Sequence, residues 1–182
     1  LDMEFRTRIG GAVKYKDTRL SFHFETIQNY TTFAETLEPY SDEDGLRLYR
    51  HSVQPIQTAK NLRVTEASIS QDFHWGVFNW ENEVTYQRSS NEDILPLPML
   101  NVYSNLYLKF KIAKVLSTEI GGDVRYFTKY YAPTYSPIIG QFALQDATER
   151  LKLGTYPLIN VYANFHLKRT RFYVMASHVH GP

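Results

Sequence analysis

The chain has 182 residues, enough for one ordinary domain or one small barrel and too few to suggest two. Its 20 basic and 19 acidic residues leave a net charge of +1, so charge balance points neither to nucleic acid nor to an acidic substrate. There is no cysteine, which excludes disulfides, thiolate metal sites and a cysteine nucleophile.

No run approaches the roughly 20 consecutive apolar residues of a membrane-spanning helix, and the mean hydropathy is negative. Strands that alternate lipid-facing and lumen-facing side chains escape that test, because such a protein looks polar on average. The 14 Tyr, 11 Phe and 2 Trp make up 15% of the chain, an abundance that suits aromatic girdles at membrane interfaces. The chain opens at Leu1 without a charged n-region or an apolar h-region, which reads as a mature protein or a portion of one.

In chain order, the first predicted element runs from Met3 to Lys16. Met3, Phe5, Thr7, Ile9, Gly11, Val13 and Tyr15 alternate there with Glu4, Arg6, Arg8, Gly10, Ala12, Lys14 and Lys16. Weaker alternation covers Arg19 to Phe33, Asn61 to Trp75 and Phe78 to Ser89. The cleanest strand is Leu100 to Ile112, with Leu106, Leu108 and Phe110 on one face and Asn105, Tyr107 and Lys109 on the other. Val115 to Tyr130 and Leu158 to Lys168 follow the same rule, and Arg171 to His180 follows it more loosely. Strands of this length exceed the five or six residues usual in globular sheets.

The connections alternate between short and long. Tight turns are expected at Asp17-Thr18, Gly76-Val77, Ala113-Lys114 and Arg169-Thr170, and long polar loops at about 34–60, 90–98 and 131–154. Transmembrane barrels have this asymmetry, with one plain rim and one elaborated rim. Of the 8 prolines, seven fall in these loops or at the terminus and Pro157 sits where a strand begins, so no strand centre loses a ladder bond. The expectation is an all-β fold: an antiparallel transmembrane β-barrel built as a meander of about eight long strands. These form four hairpins in a single segment spanning 1–182, part of a larger barrel.

Particular stretches resemble a family. The segment Gly121-Gly122-Asp123-Val124-Arg125-Tyr126-Phe127-Thr128-Lys129-Tyr130-Tyr131-Ala132-Pro133, with Tyr135-Ser136-Pro137 and Gln141-Phe142-Ala143-Leu144-Gln145, resembles the porins of Bacteroidota outer membranes. So do Gly154-Thr155-Tyr156-Pro157-Leu158-Ile159-Asn160-Val161 with Leu167-Lys168-Arg169-Thr170-Arg171-Phe172, and earlier Trp80-Glu81-Asn82-Glu83-Val84-Thr85-Tyr86 with Leu95-Pro96-Leu97-Pro98. The resemblance implies a large single-chain barrel of which this chain is a near-C-terminal portion. The chain departs from the barrel pattern at His178-Val179-His180-Gly181-Pro182, where a terminal aromatic strand is expected.

With the apolar faces turned to lipid, Glu4, Arg6, Arg8, Lys14, Lys109, Lys111, Glu119, Asp123, Arg125, Asn160 and Asn164 look inward and line the pore. An Arg or Lys facing hydrocarbon at the bilayer midplane costs about 2–4 kcal/mol, so inward orientation follows. Phe73, Trp75, Phe78, Trp80, Tyr126, Tyr130 and Tyr131 are the expected girdle, with rings in lipid and polar edges in water. His178 and His180, with His166 on a neighbouring strand, read as ordinary lumen or rim histidines, because no further ligand has recognisable spacing. The run Asp42-Glu43-Asp44-Gly45 lacks the alternating oxygens of a calcium loop and reads as a solvated loop tip. No catalytic constellation can be assembled, and no cofactor is expected.

The sequence therefore predicts a non-enzymatic porin-like barrel of the bacterial outer membrane that lets small hydrophilic solutes diffuse. Its partners are outer-membrane lipid and lipopolysaccharide, those solutes and an envelope protein, with no nucleic acid. Two rivals remain: a non-conducting scaffold or receptor whose long loops bind a protein or glycan, and a soluble carbohydrate-binding β-sandwich.

Overall fold

A computed structural model describes residues 1–41, 45 and 47–179. Asp42, Glu43, Asp44 and His180, which entered the calcium and histidine readings, lie outside the described residues. Among the described residues there are twelve strands: β1 Phe5–Tyr15, β2 Thr18–Gln28, β3 Thr31–Ser41, β4 Arg47–Gln57, β5 Leu62–Trp75, β6 Phe78–Ser89, β7 Leu100–Ile112, β8 Leu116–Phe127, β9 Thr134–Ser136, β10 Gln141–Ala143, β11 Leu158–Leu167 and β12 Thr170–Ser177. Eight of them form one antiparallel sheet in the order β1-β2-β5-β6-β7-β8-β11-β12. Among the described residues β1 and β12 each pair on one side only, so the sheet is open and the barrel is not closed within this chain.

The four hairpins expected from the alternation are the four of this sheet. Their turns need residues with positive φ, because two-residue loops of that hand match the right-handed strand twist. Lys16, Gly76, Ala113, Lys114 and Lys168 supply it, with φ of 51°, 61°, 49°, 61° and 52°. Two turns lie one residue earlier than the alternation suggests, at Lys16-Asp17 and Lys168-Arg169, because Thr18 and Thr170 are already paired with Tyr15 and Leu167. A β-branched threonine is held more readily in the ladder than at positive φ.

The long connections differ more from expectation. The 34–60 stretch is mostly the β3–β4 hairpin, which pairs from Thr31↔Gln57 to Ser41↔Arg47. Pro39 and Pro55 therefore sit inside strands rather than in loops. They are tolerated because each lies at an outer edge of the two-stranded ribbon where no N–H is required; on β3 that edge is bonded at 33–37, short of Pro39. The strand begun at Thr18 stops at Gln28, before Asn29 at a φ of 53°. Likewise β8 ends at Phe127 rather than at Tyr130. Short strands β9 and β10 give the 131–154 stretch its own hairpin.

The register sorts the sheet into two faces. On one lie Phe5, Ile9, Val13, Leu20, Phe22, Phe24, Ile69, Phe78, Trp80, Leu106, Ile120, Val161, Phe172 and Val174, all exposed. A water-soluble β-sandwich would bury that face under a second sheet, whereas here no sheet of comparable size covers it among the described residues. Several of its polar residues are paired with one another. Thr18 hydrogen-bonds Gln71, Trp80 Nε1 donates to Ser104 Oγ at 2.9 Å, and Ser104 Oγ donates to Asn82 Oδ1 at 2.9 Å. Polar side chains on a hydrocarbon-facing surface are affordable when paired in this way.

Candidate functional site

The opposite face of the sheet is polar, and it carries every residue predicted to look inward. Arg6, Arg8 and Lys14 are on β1, Lys109 and Lys111 on β7, Glu119, Asp123 and Arg125 on β8, and Asn160 and Asn164 on β11; the cross-strand registers put them all on this one face. Glu4 stands just before β1, accepts from Arg6 Nε at 2.6 Å and from the Thr31 amide at 3.3 Å, and its carboxyl is held below the usual range, by the Arg6 hydrogen bond above all.

The face is built in rows across β7, β8 and β11. One row is Lys109, Glu119 and Asn164, in which Lys109 Nζ stands 4.0 Å from Glu119 and Asn164 Nδ2 donates to Glu119 at 3.1 Å. Two residues further along, Tyr107, Gly121 and Tyr162 form an aromatic row with a glycine at its centre. Next comes Asn105, Asp123 and Asn160, where Asn160 Nδ2 donates to Asp123 at 3.0 Å. Tyr103 and Arg125 complete the series, with the guanidinium 5.5 Å from the ring centroid and its Nε 3.7 Å from Asp123. Asn105 and Asp123 are both buried. Buried polar side chains need partners, and hydrogen bonds involving a charged group contribute about 1.5–3 kcal/mol each.

Sequence reasoning named only part of this face. By register Glu66 and Asp72 on β5 and Glu81 and Glu83 on β6 belong to it. Glu81 accepts from the Tyr107 hydroxyl at 2.9 Å and from Asn105 Nδ2 at 3.4 Å. These carboxylates could have been found by carrying the register through the Gly76-Val77 turn, which places the odd residues of β6 opposite the even residues of β5. On β2, His23 Nδ1 lies 3.6 Å from Glu66, and Glu25 lies 3.6 Å from Arg6.

The aromatic residues separate into two groups. Phe73 stacks on Trp75 and on Trp80 with centroids 5.4 Å apart in each case, and Phe78 is paired with Trp75 beside the Gly76 turn. This cluster stands on the apolar face at the plain rim. Tyr126 also lies on the apolar face, opposite Val102. Tyr130 and Tyr131 lie beyond the end of β8, in the loop layer. Tyr130 meets Phe127 edge-on at 6.0 Å, and Tyr131 is flanked by Arg150 at 4.1 Å and Lys152 at 4.8 Å.

The long connections are bonded together at the elaborated rim. Glu35 N donates to the Leu144 carbonyl and Leu144 N to the Phe33 carbonyl, both at 2.8 Å, so β3 pairs with chain that follows β10. Leu37 N donates to Asp146 Oδ2 at 3.1 Å, and Arg150 reaches Asp93 at 2.6 Å. The Thr148 side chain and amide, then the Leu37 amide, hold the Asp146 carboxyl below its ordinary range. These bonds bring chain leaving between β2 and β5 to chain leaving between β8 and β11, four strand positions away in the sheet. Ile27 and Leu62, register partners on the polar face at this end, keep only 3% and 1% of their surface. Such burial on an open sheet requires chain lying over the polar face at this end.

Among the described residues, no group of three or more His, Asp or Glu is placed to hold a metal ion. No helix is long and apolar enough to cross a membrane, which bears only on helices.

A family model described as "Putative porin" matches residues 1–181. No curated protein matches the chain. Among solved structures, the siderophore receptor PirA from Acinetobacter baumannii is similar over 97% of this chain, with a TM-score of 0.48 and 10% identity. The chain spans 27% of that receptor's length.

Proposed function

The chain belongs to the porin family, and from that premise we propose that it forms part of the wall of an outer-membrane pore for passive diffusion of small hydrophilic solutes. The observation that carries this reading is the division of one sheet into an exposed apolar face and an ionic face. Only a lipid surround on one side and water on the other makes both faces inexpensive at once. The first contacts are bilayer lipid and lipopolysaccharide around the apolar face, and solutes along the ionic face. The layer of connections supplies a surface for an envelope protein. No covalent chemistry is assigned to it.

The test is planar-bilayer conductance of the full-length protein purified from outer membranes, with its fold checked by a heat-sensitive band on electrophoresis. Discrete conductance steps are expected. Arg6→Ser, Arg8→Ser and Lys109→Ser introduced together remove three inward cations, so ion preference shifts toward cations. Unchanged selectivity would remove these residues from the conducting path. A folded, inserted protein without conductance would replace the pore with a receptor or scaffold. The observation that favours that second reading is the layer of connections bonded together at the elaborated rim.

A further inference from the structure

We infer that the polar face across β7, β8, β11 and β12 is a binding track for neutral oligosaccharides; the inference rests on the pore reading for its setting. The groove there has a volume of about 510 Å³, with Tyr103, Tyr162 and Tyr173 among its lining residues.

Ring posture carries the argument. The Tyr162 hydroxyl, on β11, donates to Asn105 Oδ1 on β7 at 2.9 Å. Since β8 lies between those strands, the phenol must extend along the sheet across β8, near the position of Gly121, its register partner. Gly121 has no side chain to obstruct that path. Tyr107 is held the same way, its hydroxyl donating to Glu81 on β6 at 2.9 Å. The rings are thus anchored at their polar tips, neither is fully buried, and both extend along the wall rather than upright from it. Tyr173 on β12 continues the surface and is 59% exposed.

A sugar presents an apolar C–H face and a rim of hydroxyls that both donate and accept. A flat ring matches the first, and rows of carboxylates and carboxamides match the second. Such rows flank the rings here, Glu119 with Asn164 on one side and Asp123 with Asn160 on the other. Each carboxylate retains lone pairs beyond its protein partner, so it can accept from a hydroxyl without breaking the wall's own bonds. The groove is lined by two carboxylates, Glu119 and Asp123, against one cation, Arg125, so its lining is slightly negative, which favours neutral sugars over acidic ones. Binding sites of this type combine aromatic surface with a few oriented polar groups.

The experiment is single-channel recording of the full-length protein with linear neutral hexasaccharides of glucose and mannose added to one chamber. Reversible, concentration-dependent interruptions of the current are expected. Tyr103→Ala and Tyr162→Ala should each weaken them about tenfold, while Tyr162→Phe, which keeps the ring and loses only its anchor, falls between. An oligogalacturonate of equal length should interrupt the current least. Open channels that no neutral hexasaccharide interrupts, or interruptions indifferent to both tyrosines, overturn the track and leave the pore intact. If there is no conductance, the pore reading fails by itself and calorimetry on the detergent-solubilised protein decides the track: heat of binding lost in folded Tyr103→Ala supports it, and no heat overturns it.

Discussion

Two strands of the sheet carry nearly the same residues. In β1 the run is Ile9-Gly10-Gly11-Ala12-Val13-Lys14-Tyr15, and in β8 it is Ile120-Gly121-Gly122-Asp123-Val124-Arg125-Tyr126. The first glycine of each lies on the polar face against a ring-bearing partner, Gly10 opposite His23 and Gly121 opposite Tyr107. The basic residue follows at the same spacing on the same face. Yet every residue of β1 is exposed, whereas in β8 only Ile120 and Arg125 are. Flanking strands explain part of this: β8 lies between β7 and β11, and β1 pairs with β2 alone among the described residues. Chemistry explains the rest. Asp123 stands where β1 has Ala12, and it binds Asn160 and Arg125 together, while Lys14 has another cation, Arg19, as its register partner. Alternation therefore decides which face a residue joins, and one carboxylate decides whether a charge there is isolated or part of a network.

The largest effect should come from placing charge on the outward face of either motif. Ile120 and Ile9 each lie close to the middle of a strand, and both are exposed. Ile120→Arg should lose about 2–4 kcal/mol of stability in lipid, and Ile9→Arg a similar amount, measured by urea titration of the full-length protein in bilayers. Glu119→Arg, one residue from Ile120 on the other face, changes ion pairing without entering hydrocarbon and should cost clearly less. Equal costs at Ile120 and Glu119 would show that the apolar face is not the lipid face.

A smaller effect separates the glycines. A Cβ at Gly121 would stand 2.5 Å from Tyr107 Cβ and 2.7 Å from the Leu106 carbonyl oxygen, so backbone must yield; Gly121→Ala should cost about 1–3 kcal/mol. At Gly10 the nearest atom is His23 Cδ2, on a ring that can rotate, though the Phe22 carbonyl oxygen lies at 2.7 Å; Gly10→Ala should cost less. Gly11 has nothing within 4 Å, and Gly11→Ala should be neutral or stabilising by about 0.4–1 kcal/mol through the unfolded chain. The same titration ranks the three, and a Gly121 variant as stable as the Gly11 variant would contradict the close approach of β7 at Leu106 and Tyr107 to β8.

Sequence reading reached the faces of β1, β7, β8 and β11 because their alternation is strict, and it grouped the eleven residues that the register places on one face. It reached less of β5 and β6, where Gln71 and Asn82 sit on the apolar face and blur the period; Glu66, Asp72, Glu81 and Glu83 were lost with it. Cross-strand partners such as Ser104 make those polar residues tolerable, and no local pattern announces a partner on another strand. The β3–β4 hairpin was obscured by Pro39 and Pro55, which argue against a strand everywhere except at a free edge. That Tyr107 and Tyr162 share the polar face is written in the alternation. Their posture is not, because it depends on Asn105 two strands from Tyr162 and on register set across the long 128–157 connection.

The smallest effect concerns the join between the two motifs. Apart from the strands between them, the β1–β2 side reaches the β8–β11 side through the connections, where the Asp146 carboxylate accepts from Thr148 and from the Leu37 amide. Its folded pKa lies below the ordinary carboxylate value, so its stabilising contribution is complete above that value and is lost as pH falls through the lower, folded one. At a partly exposed site the contribution should be no more than about 1 kcal/mol. Hydrogen exchange of the Leu37 amide, corrected for intrinsic rates, should keep its protection through the ordinary carboxylate range near pH 4 and lose it only below. Asp146→Ala should expose Leu37 at every pH and abolish the transition, while exchange within β8 stays unchanged. If β8 loosens as well, the loop contact and the strand network form one cooperative unit, and the independence drawn between them from the two motifs would fail.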